Sequence, residues 1–133
     1  MKYALAAVIL LLSACQKPPQ APASFAERVA AAEAQENSPT GALYVGAVVK
    51  EHGDRLESFI GECYGQSGPD KGSFQVVADI AADGQFGNVA VQPETAETRC
   101  YAGKIGALRT GAPRPVGYGD KPFPLFINVN FNR

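Results

Sequence analysis

Between residues 74 and 92 the chain alternates as half-buried strands do. Phe74, Val76, Ala78 and Ile80 are interleaved with Gln75, Val77 and Asp79, a period of two that predicts a strand with one face in a core. Asp83-Gly84 supplies residues that tolerate positive φ, so 81–85 reads as a hairpin turn into a second strand, Phe86 to Gln92, with Val89 and Val91 facing one way. Pro93 closes that strand. The alternation returns at Leu125, Ile127, Val129 and Phe131 against Phe126, Asn128 and Asn130, which predicts a last strand. Helical spacing fills the intervals. Leu43, Ala47, Val48, Leu56, Phe59, Ile60 and Cys63 make an apolar stripe from Leu43 to Tyr64. That segment is either one helix kinked at Gly53 or a helix restarting at Asp54, whose Glu57 fits a capping box, with Gly65 and Gly68 as its stop. Thr95 caps a helix expected over 96–110, striped by Cys100, Tyr101, Ile105 and Leu108 and stopped at Gly111. Phe25 to Glu36 is alanine-rich and helical, with Ser24 as N-cap; Phe25 and Val29 are its only large apolar residues, so residues 25–40 are expected as a loose or dynamic spacer without function. The order helix, strand, strand, helix, strand predicts an α+β fold, a small, mostly antiparallel three-stranded sheet with helices on one face.

The amino-terminal end follows a different pattern. Met1-Lys2 precedes the ten-residue apolar run Tyr3 to Leu12. A membrane-spanning helix needs roughly 20 apolar residues and a signal-peptide core about 7 to 15, so length selects the signal peptide. Leu12-Ser13-Ala14-Cys15 resembles the lipobox of bacterial lipoproteins, which implies cleavage after Ala14 and a diacylglycerol on the Cys15 sulfur. The other reading is a soluble secreted protein whose cysteine falls beside an ordinary cleavage site. Gln16 in place of Asp resembles the sorting pattern for the outer membrane. Residues 15–24 then form a lipidated cysteine and a proline-rich tether; nine residues of extended polyproline-like chain reach at most about 30 Å. Residues 41–133 form the domain.

Composition narrows the function. The chain has 12 Lys plus Arg and 13 Asp plus Glu, and loss of Lys2 with the signal leaves 11 against 13. No basic block tracks phosphates, so a nucleic-acid partner is not expected. His52 is the only histidine and stands without a Ser/His/Asp spacing, metal-ligand cluster or phosphate loop. Asp79 and Asp83 flank the hairpin and read as turn chemistry, not a cation site, while Glu57 and Glu62, five apart, do not share a helix face. No metal, no cofactor and no enzymatic activity are expected.

Of three cysteines, the lipidated one leaves Cys63 and Cys100, an even pair in an oxidising compartment. They read as a structural disulfide between two helices. Closing the 37-residue loop between positions 63 and 100 contributes about 4 kcal/mol by chain entropy. The alternative, a redox-active pair, normally uses Cys-X-X-Cys and a group that depresses a thiol pKa, neither of which is present.

With the helix ending Cys63-Tyr64, the strand Gly72 to Ile80, the turn Asp83-Gly84, Val89 and Val91 in place, the pattern continues through Cys100, Pro113/Pro115 and the Phe123-Pro124 to Phe131 strand. In that order the stretch from about Val48 to Phe131 resembles the TonB carboxy-terminal domain, in particular its AgmX/PglI-type branch. The resemblance implies a periplasmic protein-interaction module that adds a partner's extended segment to a sheet edge. Leu125 to Phe131 is the matching edge, with Phe126, Asn128 and Asn130 on its accessible side. The Tyr-Pro motif that opens the first helix of many TonB domains is absent, and nine tether residues replace a long rod, so force transmission of the TonB kind is not implied.

Two functions are therefore expected. The first is an outer-membrane-anchored periplasmic lipoprotein that binds an envelope protein of an uptake, secretion or surface-assembly system by strand addition. The alternative is an inhibitor or immunity lipoprotein that blocks a toxin or lytic enzyme with the loop Gly111 to Pro122, in which Arg114, Tyr118 and Asp120 could enter a cleft.

Overall fold

A computed structural model of the chain describes residues 21–65 and 72–131. The expected signal peptide, Cys15, the first tether residues and the Gly68 stop lie outside the described residues. The elements run α1 (Phe25–Glu36), α2 (Pro39–Tyr64), β1 (Phe74–Ile80), β2 (Phe86–Gln92), α3 (Ala96–Gly106) and β3 (Phe123–Val129). The three strands form one antiparallel sheet in the order β2-β1-β3, so the fold is α+β and the expected helix-strand-strand-helix-strand order holds, preceded by α1.

Side-chain parity in β1 sorts the layers. Phe74, Val76, Ala78 and Ile80 belong to one buried cluster with Tyr44, Val48 and Tyr64 of α2 and Tyr101 and Ile105 of α3. Those two helices cover one face, as expected. Val77 points the other way and is nonetheless only 1% exposed, because α1 lies across that second face. The strand is buried on both sides, not one. Helix α1 is therefore docked, and the loose spacer is corrected: Phe25, Arg28, Val29, Ala32 and Gln35 form its inward stripe. Alanine at 32, 3% exposed, lets the helix axis come close to the sheet where a larger residue would hold it off. Arg28 pairs with Asp79 of β1 at 3.7 Å, so the one charge carried under the helix is compensated.

Local signals account for most boundaries. The Ser24 and Ser38 hydroxyls accept from the Glu27 and Gly41 N–H groups at 3.2 and 3.1 Å, and Pro39 opens α2, where a missing N–H costs nothing. Helix α2 then runs 26 residues without a break at Gly53, so the chain does not restart at Asp54. Its packed face runs through Tyr44, Val48 and His52, so Tyr44 enters the core and Leu43 is 77% exposed, against expectation. Only Asn37 and Ser38 separate α1 from α2, and a Cβ on Gly41 would fall 1.8 Å from the Gln35 carbonyl oxygen, so this tight corner requires glycine.

Helix α3 ends at Gly106, short of the expected Thr110 and Gly111 stop. The chain beyond it is captured by the hairpin: Gln85 Nε2 donates to the Gly106 and Leu108 carbonyls at 3.0 Å each, and the Phe86 N–H donates to the Leu108 carbonyl at 3.0 Å. Leu108 is buried all the same. Strand β3 begins at Phe123, two residues before the alternating run that starts at Leu125, and leaves Asn130 and Phe131 beyond its end. Cys63 and Cys100 form a disulfide, with Cα atoms 5.7 Å apart, joining the end of α2 to α3 over a cluster in which Phe74 meets the rings of Tyr64 and Tyr101 at 5.7 and 5.1 Å.

Replacing both Cys63 and Cys100 by alanine is expected to lower unfolding free energy by about 4 kcal/mol, the chain entropy of a loop of 37 residues; a urea titration showing a loss under about 1 kcal/mol would sink that account. Ala32→Leu overpacks the α1 contact and should cost about 1–3 kcal/mol, while Leu at the exposed Ala34 should be nearly neutral. Equal midpoints for the two variants would mean that α1 is not held on the sheet.

Candidate functional site

Strand order leaves β2 and β3 at the sheet edges, and backbone parity says which groups of β3 face outward. The Ala81 N–H donates across the hairpin to the Gln85 carbonyl at 2.9 Å, toward β2. Alternation then turns the backbone groups of Phe74, Val76, Ala78 and Ile80 toward β3, where their register partners are Val129, Ile127, Leu125 and Phe123. Pro124, Phe126 and Asn128 are left pointing away from the sheet. Pro124 agrees with this assignment, since it has no N–H to give to a ladder. The outer edge thus offers the N–H and C=O groups of Phe126 and Asn128.

That edge opens into a groove of about 350 Å³. One wall is β3 from Leu125 to Asn128; the other is the α2 stripe Val45, Val49, Gly53 and Leu56, with Glu36 on the rim. Because α1 and α2 lie on opposite faces with two residues between them, their corner passes round this edge and Glu36, the last residue of α1, is left beside it. Val49 is 50% exposed, although it faces a run of apolar neighbours. Gly53 has an ordinary helical backbone and a Cβ placed there would meet nothing within 4 Å, so neither conformation nor packing requires a glycine that costs about 1 kcal/mol relative to alanine.

The other edge is blunted. Strand β2 carries a bulge opposite Ala78 with Asn88 at φ 47; the Asn88 carbonyl accepts from Arg28 Nη2 at 2.6 Å and its amide donates to Asp79 at 2.7 Å. Bulges and inward charges of this kind suppress edge pairing. A larger hollow of about 450 Å³ lies under the start of α1, where Arg28 and Asp79 already satisfy one another.

Of the side chains expected to meet a partner, Phe126 is half-buried on the α1 face, Asn128 is exposed on the same face, and Asn130 is exposed beyond the strand. Arg114 and Tyr118 lie elsewhere and hold the loop. Arg114 Nη1 donates to the Ile80 and Ala81 carbonyls at 3.2 and 2.8 Å, Nη2 donates to the Lys121 carbonyl, and the guanidinium sits 5.7 Å from the Tyr118 ring. Tyr118 in turn packs 5.2 Å from the Phe123 ring, and burial raises its pKa. Val116 of this loop points outward, 97% exposed, and Asp120 is exposed as well. Expectation missed Glu36, Val49 and Gly53; their one signal in the chain is a glycine on an apolar helix stripe.

Glu51 fastens the loop's start. Its carboxylate accepts from the Thr110 hydroxyl and the Gly111 N–H, and those bonds, the Thr110 one first, lower its pKa. His52 is buried edge-on to Phe86 at 5.7 Å. Among the described residues no group of three His, Cys, Asp or Glu side chains is placed to hold a metal ion, and no helix is long and apolar enough to cross a membrane. Compared with protein families, curated proteins and solved structures, the chain matches none.

The lowered Glu51 pKa carries a pH signature. A depressed carboxyl contributes stability above its unfolded pKa and loses it as pH falls through the folded one. The Tm gap between wild type and Glu51→Gln should be widest near neutrality and close as pH drops below the ordinary value of 4.5; a gap constant across pH would refute the clasp.

Proposed function

We propose that this chain is a lipoprotein, anchored through Cys15 to the periplasmic face of the outer membrane, that binds an extended segment of an envelope protein as an added strand on β3. It is a non-enzymatic module of an uptake, secretion or surface-assembly system. The observation that carries the reading is the pairing of outward backbone groups at Phe126 and Asn128 with an adjoining groove walled by Val45, Val49 and Leu56. Backbone groups at a sheet edge supply affinity in strand addition, and side-chain pockets beside them supply selectivity. The resemblance to TonB carboxy-terminal domains supports the same mode, and the Leu12 to Cys15 motif supports the anchor. Blunting of the β2 edge supports β3 as the edge in use.

A second reading, the inhibitor or immunity lipoprotein, is favoured by one observation. Val116, at 97% exposure, stands beside Leu43, at 77%, on the loop from Pro113 to Val116. On that reading Val116 enters the cleft, while Arg114 and Tyr118 brace it.

Photoreactive residues at Asn128 and at Val116, in the full chain in its own envelope, separate the two. Strand addition expects capture of a non-enzymatic envelope component at 128; capture of a toxin or lytic enzyme at 116 alone would replace it. With the photoreactive residue moved to Asn130, exposed just beyond β3, Asn128→Pro removes an outward N–H that the fold does not use, so it should abolish capture with a stability change within about 1 kcal/mol. Leu125→Pro, which removes a ladder bond, should cost about 3 kcal/mol or more. Undiminished capture by Asn128→Pro would reject strand addition.

A further inference from the structure

We infer that the segment bound on β3 carries a large apolar side chain that fills the space beside Gly53, and a lysine or arginine that faces Glu36. The inference rests on the strand-addition reading and adds the chemistry of the occupant. The α2 wall from Val45 to Leu56 is about 16 Å long at 1.5 Å per residue, the length of about five extended residues. In an added strand, alternate side chains of those five point to the α2 side. There they meet Val45, Val49 and Leu56, with a gap where Gly53 lacks a side chain. Gly46 and Gly61 of α2 are equally uncrowded, but Gly53 is the one on the groove wall. A helix-weakening residue that no contact demands, set midway along an open apolar wall, keeps volume for something outside the chain.

Charge selects the second feature. Glu36 ends α1, whose last turn holds no basic residue, so its carboxylate adds to the negative end of the helix dipole. Among the described residues no lysine or arginine lines the groove to offset it. A cation on the partner segment meets that uncompensated corner, and an acidic residue is repelled.

The test uses the full-length chain in detergent and fluorescein-labelled heptapeptides with a threonine background, a central Leu, Phe or Ala, and flanking Lys or Glu, read by fluorescence anisotropy. Leu- and Phe-centred peptides flanked by Lys are expected to bind roughly tenfold or more tighter than the Ala-centred one, the ratio for burying such a side chain. Gly53→Leu should remove that preference while its Tm rises, because leucine is the better helix former and meets open space. Glu36→Lys should reverse the flanking preference from Lys to Glu. Equal affinities for Leu- and Ala-centred peptides, unchanged selectivity in Gly53→Leu or Glu36→Lys, or no peptide binding at all would each overturn the inference. Asn128→Pro distinguishes the underlying reading. If it abolishes binding that shows no side-chain preference, strand addition survives and the occupant chemistry falls; if it binds as wild type, strand addition itself falls.

Discussion

Strand β1 is hydrogen-bonded on both edges and covered on both faces, and every other element is positioned by that strand. Its Phe74, Val76, Ala78 and Ile80 are at most 2% exposed on the α2/α3 side, while Val77 is sealed under α1 on the other. Seven residues thus take packing from three helices and pairing from two strands. The charged member on the α1 side, Asp79, is admitted because Arg28 and Asn88 reach it; an unpaired carboxylate there would be a desolvation penalty. The disulfide reinforces the same strand indirectly, holding α2 and α3 together over the aromatic group round Phe74.

A central strand obliges the sheet to have two outer ones, and the chain treats them differently. On β2 the bulge at Asn88 spends a carbonyl on Arg28 and turns the ladder out of register. On β3 the backbone stays regular past Phe126 and Asn128, and the α1–α2 corner frames the edge with an apolar wall and an acidic rim. The loop 111–122 belongs to neither arrangement. Glu51 and Arg114 brace it from within, while Val116 projects.

What could be read from the chain follows the range of each interaction. The bounds of β1 and β2, the Asp83-Gly84 turn and the Ser24 and Thr95 caps are set by neighbours within a few residues, and local pattern suffices for them. Phe126 and Asn128 were legible as one side of a strand by the same rule. Helix α3 stops at Gly106 because Gln85, more than twenty residues earlier, takes its carbonyls, and no local signal marks that. Leu43 and Tyr44 are adjacent, so a shift of one position in helix phase exchanges core for solvent. The docking of α1 depends on alanines, whose small size is uninformative until a flat partner surface is present. The groove was unreadable for a similar reason: its walls are contributed by residues 36–56 and 125–128, and it exists only because a two-residue corner carries the chain round the sheet.

Helix α1 also separates two points of attachment. Its first residue, Phe25, lies by the β2 edge with Val89 to Val91, and its last, Glu36, lies at the groove on β3. If a segment is held at that groove, tension between it and the chain leading into α1 would therefore act at opposite ends of one rod lying flat on the sheet. Its inward contacts, from Phe25 to Gln35, resist such a load together in shear, whereas a rod held at the same end by both would peel away one contact at a time.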